Sequence, residues 1–205
     1  MRSESDELEA LIATTDGLQP WRRVFHATCG LFIVGSLAWL ELSRPMVGGV
    51  LLLLAGGALL LDLVRLASEG VNRWFFRLLR PFASPREGRG IASSTWFLLG
   101  TGLAVFFFPR EVAVPAILVL SLADPAASYV GRRWGRRPFG TGTVEGSLVF
   151  ATLATILLVA TTGWVTGVLT ALVVTGIERI PWPLDDNLTV PLATGALLWT
   201  LLPMF

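Results

Sequence analysis

Residues 122–149 read LADPAASYVGRRWGRRPFGTGTVEGSLV, and the rest of the chain is arranged around this stretch. An aspartate, Asp124, ends a long apolar run, and a glutamate, Glu145, opens the next one. The loop between them carries four arginines, namely Arg132, Arg133, Arg136 and Arg137. Acids inside apolar runs are costly in a membrane and usually have a function, so this stretch predicts a polar site held between membrane helices.

The composition of this loop is typical of an anion-binding site. Arginine presents a planar fork of donors that matches phosphate oxygens. Gly135, Gly140 and Gly142 would let backbone N–H groups approach a ligand closely. Because a carboxylate beside bound phosphates would be repelled, Asp124 and Glu145 imply a Mg²⁺ ion between the acids and the phosphates. The alternative is that the arginines anchor the membrane edge and the glycines form a plain turn.

The composition of the whole chain is that of a multi-span membrane protein. Of its 205 residues, 53% are hydrophobic, and the mean hydropathy is +0.67, which is typical of membrane proteins rather than soluble domains. Every basic side chain is an arginine, so a lysine-dependent P-loop is excluded. The single cysteine, Cys29, excludes an intrachain disulfide. The net charge is only +1, and no nucleic-acid partner is expected.

Apolar runs separated by short polar segments predict an all-α, polytopic membrane protein with about seven transmembrane helices. The expected spans cover residues 24–42, 46–67, 91–108, 112–130, 145–160, 164–177 and 188–205. Residues 69–81 are expected to form one interfacial amphipathic helix, because their arginines recur on one helical face. Residues 1–20 form an acidic segment that is expected to be mobile or interfacial. Residues 21–205 are expected to form a single transmembrane domain that carries the site.

Pro125 immediately follows Asp124 inside the fourth expected span. Proline lacks a backbone donor and disfavours helical geometry at the preceding residue. These effects predict a kink or break at Asp124. Broken helices are tolerated in a membrane where they line a polar cavity, so the break would agree with a site at this depth.

Other polar residues near the ends of the spans can have a functional or a structural role. His26 is either part of the site or a structural hydrogen-bonding group. Asp62 and Arg65, three residues apart, favour a mutually neutralised pair. Asp186 and Asn187, in the loop before the last span, are either a second metal or nucleotide contact or the cap of the last helix.

The arginines also predict the orientation of the chain. Most of them fall on alternate loops, and only Arg44 and Arg110 fall on the other set. By the positive-inside rule the N-terminus is therefore cytoplasmic. A prokaryotic plasma membrane is the expected location. With this topology six polar residues reach the same cytoplasmic face, namely His26, Asn72, Asp124, Glu145, Asp186 and Asn187.

In their order and spacing, these motifs resemble those of the dolichol and polyprenol kinases, phytol kinases and CTP-dependent diacylglycerol kinases. The matching elements, which run from about residue 20 to residue 195, are Arg22-Arg23-x-x-His26-x-x-x-Gly30, Glu69-x-x-Asn72-Arg73, Arg86-Glu87, Asp124-x-x-Ala127-x-x-x-Gly131-x-x-x-Gly135, Glu145-Gly146-Ser147 and Asp185-Asp186-Asn187-Leu-x-x-Pro191. The resemblance implies transfer of a phosphoryl group from CTP, or from another nucleoside triphosphate, to a lipid hydroxyl. The acceptor would be a polyprenol, a phytol-like isoprenoid alcohol or diacylglycerol.

The resemblance also implies roles for individual residues. Asp124 would bind Mg²⁺, with Glu145 or Asp186 as second ligand or base, and His26 and Asn72 would orient the headgroup or a phosphate. The residues expected to contact the nucleotide are Asn72, Arg73, Gly131, Arg132, Arg133, Gly135, Arg136, Arg137, Gly146, Ser147 and Asn187. Gly142 departs from the family pattern, which has a basic residue three positions before the glutamate. One of the four loop arginines would have to replace that basic residue.

Two other functions fit part of the pattern. Phosphatidate cytidylyltransferases share an aspartate among small residues followed by Thr/Ser-x-Glu-Gly, and they also use CTP. The short chain and the Asp-Asp-Asn loop favour the kinase reading over this one. A non-enzymatic transporter or scaffold, with its intramembrane acids along a pathway, is the third reading.

Overall fold

The structure of the protein is a computed structural model that describes residues 4–40, 42–181 and 183–204. The described helices are α1 Glu4–Ala13, α2 Pro20–Ala38, α3 Arg44–Ala67, α4 Glu69–Leu79, α5 Ser93–Phe107, α6 Arg110–Leu118, α7 Asp124–Trp134, α8 Val144–Thr162, α9 Trp164–Glu178 and α10 Asp186–Leu201. The other described elements are a 3₁₀ turn at Pro85–Gly88, a π-helical segment at Val119–Ala123, a 3₁₀ turn at Leu202–Met204 and the strands β1 Pro138–Phe139 and β2 Gly142–Thr143. The all-α prediction is confirmed, apart from this two-stranded antiparallel hairpin.

Four of these segments are long and apolar enough to cross a membrane, namely Arg44–Ala67, Arg110–Trp134, Val144–Thr162 and Asp186–Met204. Helices α5 and α9 are apolar but shorter. Large apolar side chains such as Leu53, Leu61 and Ile156 are exposed, as contact with lipid chains requires. A helical membrane protein is thus confirmed, while seven spans remain a prediction. Residues 1–3 of the acidic segment, residue 41 of the first expected span and residue 205 of the last lie outside the described residues.

The core lies between α5, α6, α8, α9 and α10, where large side chains such as Val105, Ile117 and Phe150 are fully buried. Small residues let the helices approach one another within this core. Gly100 of α5 is one example, since a Cβ atom added there would lie 2.2 Å from the backbone oxygen of Asn187. Only a glycine therefore allows α5 to pack directly against the first turn of α10. This contact fixes the beginning of α10, where two of the predicted site residues lie.

The helix does not break at Asp124, so the predicted break was wrong, while the alternative kink stays a prediction. Asp124 has φ −63° and ψ −51°, and its backbone N–H donates to the carbonyl oxygen of Val119, five residues earlier. The π-helical turn that precedes Asp124 accommodates Pro125, which cannot donate a backbone hydrogen bond. Asp124 is therefore presented from an uninterrupted helical segment.

The loop between α4 and α5 is organised by a buried ion pair at the end of α3. Arg65 donates from Nε to Oδ1 of Asp62 at 2.6 Å, and both side chains are buried. Arg65 also donates to the backbone oxygens of Glu87 and Gly90, at 2.6 and 2.7 Å. The second carboxylate oxygen of Asp62 accepts from the hydroxyl of Thr95 at 2.6 Å. The predicted neutralised pair is confirmed, and it fixes the loop that carries Arg86.

The N-terminal helix α1 packs against α4, the amphipathic helix. Glu7 pairs with Arg77, and Glu9 pairs with Arg89 at 3.4 Å. The side chain of Ile12 lies so close to Gly88 that a Cβ atom there would be 2.5 Å from Cδ1 of Ile12. The acidic segment is thus docked on the same end of the bundle as the loop between α4 and α5.

Candidate functional site

A polar cavity of about 340 Å³ lies at one end of the helix bundle. Its walls come from the beginning of α2, the loop before α5, α7, the hairpin, the end of α9 and the beginning of α10. Its charged lining residues are Arg22, Arg23, Arg86, Asp124, Arg132, Glu178, Arg179, Asp185 and Asp186. The predicted topology places all of these segments on the same side of the membrane. The position of the cavity agrees with that prediction.

Three carboxylates converge in this cavity, and we call them the carboxylate triad. Asp124 begins α7, Glu178 ends α9 and Asp186 begins α10. One oxygen of each carboxylate lies within 4.8 Å of those of the other two. Ionised carboxylates at this separation repel one another unless a cation or a proton lies between them. Oxygen ligands of this kind are the ones that Mg²⁺ prefers, so the residues present fit this ion.

The first turn of α10 separates a capping residue from a triad residue. Asp185 is the N-cap, because its Oδ1 accepts from the backbone N–H of Asn187 at 3.0 Å and also from the side-chain amide of Asn187. The sequence alternative, which gave the capping role to Asp186 or Asn187, was wrong. Since Asp185 satisfies the helix end, the carboxylate of Asp186 can join the triad.

The structure does not bring Glu145 to the triad, where it was predicted to be a metal ligand or base. Its Oε2 instead accepts from the backbone N–H groups of Arg136 and Arg137, at 3.1 and 3.5 Å. Glu145 therefore holds the backbone of the last two loop arginines. The third carboxylate comes from Glu178, which sequence reasoning missed. Its signal was the same as that of Asp124, since each is an acid near the end of an apolar run.

The cavity draws its arginines from several segments rather than from one loop. Within the described chain, Arg132 is the one loop arginine that lines the cavity. Arg133 lies over the ring of Trp134, 5.9 Å from its centroid, and the side chains of Arg136 and Arg137 are exposed. The predicted nucleotide contacts of these three arginines are thus not supported by their positions.

Two adjacent arginines of α2 are held at the cavity wall by serines. Arg22 donates to the hydroxyl of Ser93 and lies 3.9 Å from a carboxylate oxygen of Glu87. Arg23 donates to the hydroxyl of Ser128 at 3.0 Å. Ser93 begins α5 and Ser128 lies on α7. These contacts therefore fix the two guanidinium groups of α2 against two neighbouring helices.

His26 lies one helical turn after Arg22 and also lines the cavity. The imidazole is buried and stacks on the ring of Phe97, with a centroid distance of 5.0 Å and an interplanar angle of 14°. This stacking fixes the plane of the imidazole, and a ring nitrogen can then meet a ligand only from a defined direction.

The predicted glycines mainly hold α7 and α8 together. Gly131 and Gly146 both line the cavity. A Cβ atom at Gly131 would lie 3.0 Å from Oγ1 of Thr143, and one at Gly146 would lie 3.0 Å from the backbone oxygen of Ala127. At Gly135 a Cβ atom would be 2.2 Å from the backbone oxygen of Gly131. These positions therefore need glycine for close backbone packing beside the cavity.

Besides Gly135 and the three loop arginines Arg133, Arg136 and Arg137, three more predicted nucleotide contacts lie outside the cavity lining within the described residues, namely Asn72, Arg73 and Ser147. Asn72 is buried in the network around Arg65, where it accepts from that guanidinium at 3.0 Å and donates to the backbone oxygen of Gly88 at 3.0 Å. Ser147 donates to the backbone oxygen of Thr143 at 3.0 Å. Asn72 and Ser147 thus support the local fold in this structure, whereas Asn187 lines the cavity.

Comparison with known proteins finds relatives among lipid kinases. No family model matches the chain, and no solved structure matches it. The chain is 30% identical over 118 residues to CTP-dependent diacylglycerol kinase 1 of Eremothecium gossypii. The aligned residues cover 56% of this chain and 36% of that protein. It is 24% identical over 172 residues to the protein of the same name in Schizosaccharomyces pombe, covering 69% of this chain and 74% of the relative.

A further relative is an uncharacterized protein of Rickettsia prowazekii, 22% identical over 184 residues that cover 84% of this chain and 89% of that protein. The chain spans about a third of the length of the Eremothecium relative (36%). The dolichol, polyprenol and phytol kinase part of the predicted resemblance stays a prediction. The chain is similar to proteins named CTP-dependent diacylglycerol kinase, and this is the part of the resemblance that the comparisons support.

Proposed function

We propose that this protein is a CTP-dependent lipid kinase that phosphorylates the hydroxyl of a membrane lipid, with diacylglycerol as the first acceptor to test. The observation that carries the proposal is the carboxylate triad in a cavity that is also lined by arginines. Acids that bind a metal and arginines that bind phosphates are the two sets of groups that phosphoryl transfer needs. The choice of CTP and diacylglycerol is supported by the names of the relatives.

The triad would hold the metal ion of the reaction. Asp124, Glu178 and Asp186 would bind Mg²⁺ through one oxygen each. When bound, the ion would neutralise negative charge on the phosphates of the nucleotide. The positions of these residues are fixed by helix packing, because α9 contacts α10 and α10 contacts the π-helical turn that precedes Asp124.

The arginines of the cavity would hold the triphosphate. Arg22 and Arg23 point from α2, Arg86 from the loop before α5 and Arg132 from α7. Forked guanidinium groups can bind phosphate oxygens in pairs, and this fixes the orientation of the phosphate chain. The cavity volume of about 340 Å³ is within the range of small-molecule sites.

The acceptor lipid would place its hydroxyl oxygen in line with the terminal phosphorus atom. The oxygen forms a bond with phosphorus, the bond to the bridging oxygen of the nucleotide breaks, and CDP leaves. The hydroxyl proton passes to a carboxylate oxygen of the triad. His26, with its plane fixed by Phe97, is placed to orient the hydroxyl or the phosphate that receives it.

The test is a product analysis with purified protein in detergent. CTP, Mg²⁺ and diacylglycerol should give CDP and phosphatidate in equal amounts, and Asp124→Asn should abolish the reaction. Parallel reactions with ATP, GTP and UTP, and with polyprenol and phytol, would identify the donor and the acceptor. Formation of stoichiometric pyrophosphate from CTP and phosphatidate would contradict the kinase proposal and support a cytidylyltransferase.

A further inference from the structure

Arg179 lies inside the candidate site as the partner of a triad residue. Its Nε and Nη2 atoms both contact the carboxylate of Glu178, the preceding residue. Both side chains are buried, with Arg179 only 9% exposed. A buried guanidinium needs an anionic partner because an unpaired charge in this environment is strongly destabilising. In the ligand-free protein, Glu178 is that partner.

The hairpin before α8 is shaped around Arg179. The backbone N–H of Thr141 donates to the carbonyl oxygen of Arg179 at 3.3 Å, and a Cβ atom at Gly140 would lie 2.3 Å from the same oxygen. A Cβ atom at Gly142 would lie 1.7 Å from Nη1 of Arg179. The guanidinium therefore occupies the volume that any side chain at position 142 would need.

The carboxylate that Arg179 holds is also one that the metal would use. If a divalent cation binds the triad, Glu178 turns a lone pair from Arg179 to the cation. The guanidinium then loses its partner while it remains in the cavity. A phosphate oxygen is the anion that can replace the carboxylate, because it accepts from the same planar fork of donors.

We propose that Arg179 is a phosphate-binding residue that exchanges Glu178 for the nucleotide when the divalent cation binds, so that Arg179 couples the binding of the two ligands. This inference rests on the proposed function. The inference also gives Arg179 the role of the basic residue that the family pattern has where this chain has Gly142. The sequence alone offered only the four loop arginines for that role.

The exchange predicts opposite effects of one substitution on two affinities. In Arg179→Gln, the cation no longer competes with a guanidinium for Glu178, so Mn²⁺ alone should bind at least as tightly as in the wild type. The nucleotide should bind more weakly, and the increase in Mn²⁺ affinity caused by the nucleotide should be smaller, with the direct attraction between the ion and the phosphates remaining. If Arg179 only supported the fold, its substitution would weaken the binding of both ligands together.

The experiment measures Mn²⁺ binding by electron paramagnetic resonance, using the full chain in detergent with and without a non-hydrolysable CTP analogue. In the wild type we expect the analogue to tighten Mn²⁺ binding about tenfold or more, which is a usual size for coupled ligands. In Arg179→Gln the increase should be about threefold or more smaller than in the wild type. The matched control is Arg80→Gln, which removes an exposed arginine outside the cavity lining and should keep the wild-type coupling.

A second variant leaves Arg179 in place and moves its guanidinium. Gly142→Ala would displace the flexible end of the arginine side chain, so the fold should tolerate it, and the coupling should again decrease. Full coupling in both variants would overturn the inference and leave the proposed function standing. Failure of the wild-type protein to bind Mn²⁺ and the analogue would instead overturn the proposed function itself.

Discussion

At the scale of single residues, the site depends on which acids converge. Asp124, Glu178 and Asp186 meet within 4.8 Å, whereas Glu145 accepts from the backbone of the arginine loop. These two arrangements make different demands on the charge of the residue. A carboxylate ligand gives a metal ion negative charge as well as an oxygen, while a side chain that binds backbone N–H groups needs only an acceptor.

The first prediction compares two glutamine substitutions. Glu178→Gln should reduce the rate on the order of a thousandfold, because it removes a negative charge from the proposed metal ligands. Glu145→Gln keeps an oxygen for the two N–H donors, so its rate should stay within about tenfold of the wild type. Initial rates of CDP formation at saturating Mg²⁺ measure both. Equal losses in the two variants would contradict the assignment of the triad.

Part of this site could be predicted from the sequence. Asp124, Asp186, His26 and Arg132 were expected and line the cavity. Glu178 was missed because the sequence alone does not show that the end of α9 lies beside Asp124. Glu145 was chosen because it stands at the opposite end of the arginine loop from Asp124. Proximity in the chain suggested that pairing, but contacts between helices distant in sequence determine the real cluster.

At the scale of elements, the end of α3 carries a buried network of hydrogen bonds outside the cavity lining. Arg65 binds Asp62, Asn72 and two backbone oxygens of the loop before α5. All of these acceptors receive a hydrogen bond from the same guanidinium group. If that group is removed, Oδ1 of Asp62 and the two carbonyls lose this donor together, and the buried carboxylate loses its positive partner.

The second prediction concerns this network. Arg65→Gln should lower the free energy of unfolding by about 3 kcal/mol or more, the usual cost of breaking a buried ion pair. Arg77→Gln, which breaks the exposed pair with Glu7, is the matched control. Its effect should be within about 1 kcal/mol. Thermal unfolding in detergent with and without added lipid compares the two variants, and a similar loss in both would refute the structural role of Arg65.

Most helices could be predicted, because long apolar runs with charged ends leave few alternatives in a membrane. The π-helical turn before Asp124 could not be predicted, because the local preferences of Pro125 are compatible with a break, a kink or a π turn. The hairpin could not either, because strands of two residues are too short for an alternating pattern. Its position depends on packing against the end of α9.

At the scale of the molecule, the alternation of loops predicts which side each residue faces. The third prediction uses single cysteines introduced at exposed positions in a Cys29→Ser background. Cysteines at Arg89 and Phe139 should be labelled from the cytoplasmic side, and one at Trp164, the first residue of α9, should be labelled from the outside.

Phe139 is preferred to Gly140 for this purpose, because Gly140 has φ +55° and lies against the backbone of Arg179. An impermeant thiol reagent applied to intact cells and to inverted vesicles distinguishes the two sides. Labelling of the cysteines at Arg89 and Phe139 from opposite sides would contradict the topology.

The order of the triad along the chain has a consequence for biosynthesis. Asp186 begins α10, which a ribosome completes after the other described helices. Until α10 is inserted, the nascent bundle holds Asp124 and Glu178 without their third partner. The pairing of Arg179 with Glu178 keeps one of these acids compensated in the bilayer during that interval. Until α10 arrives, that acid can therefore remain in the bilayer as half of an ion pair, and the carboxylates of the proposed cation site are complete only once α10 is inserted.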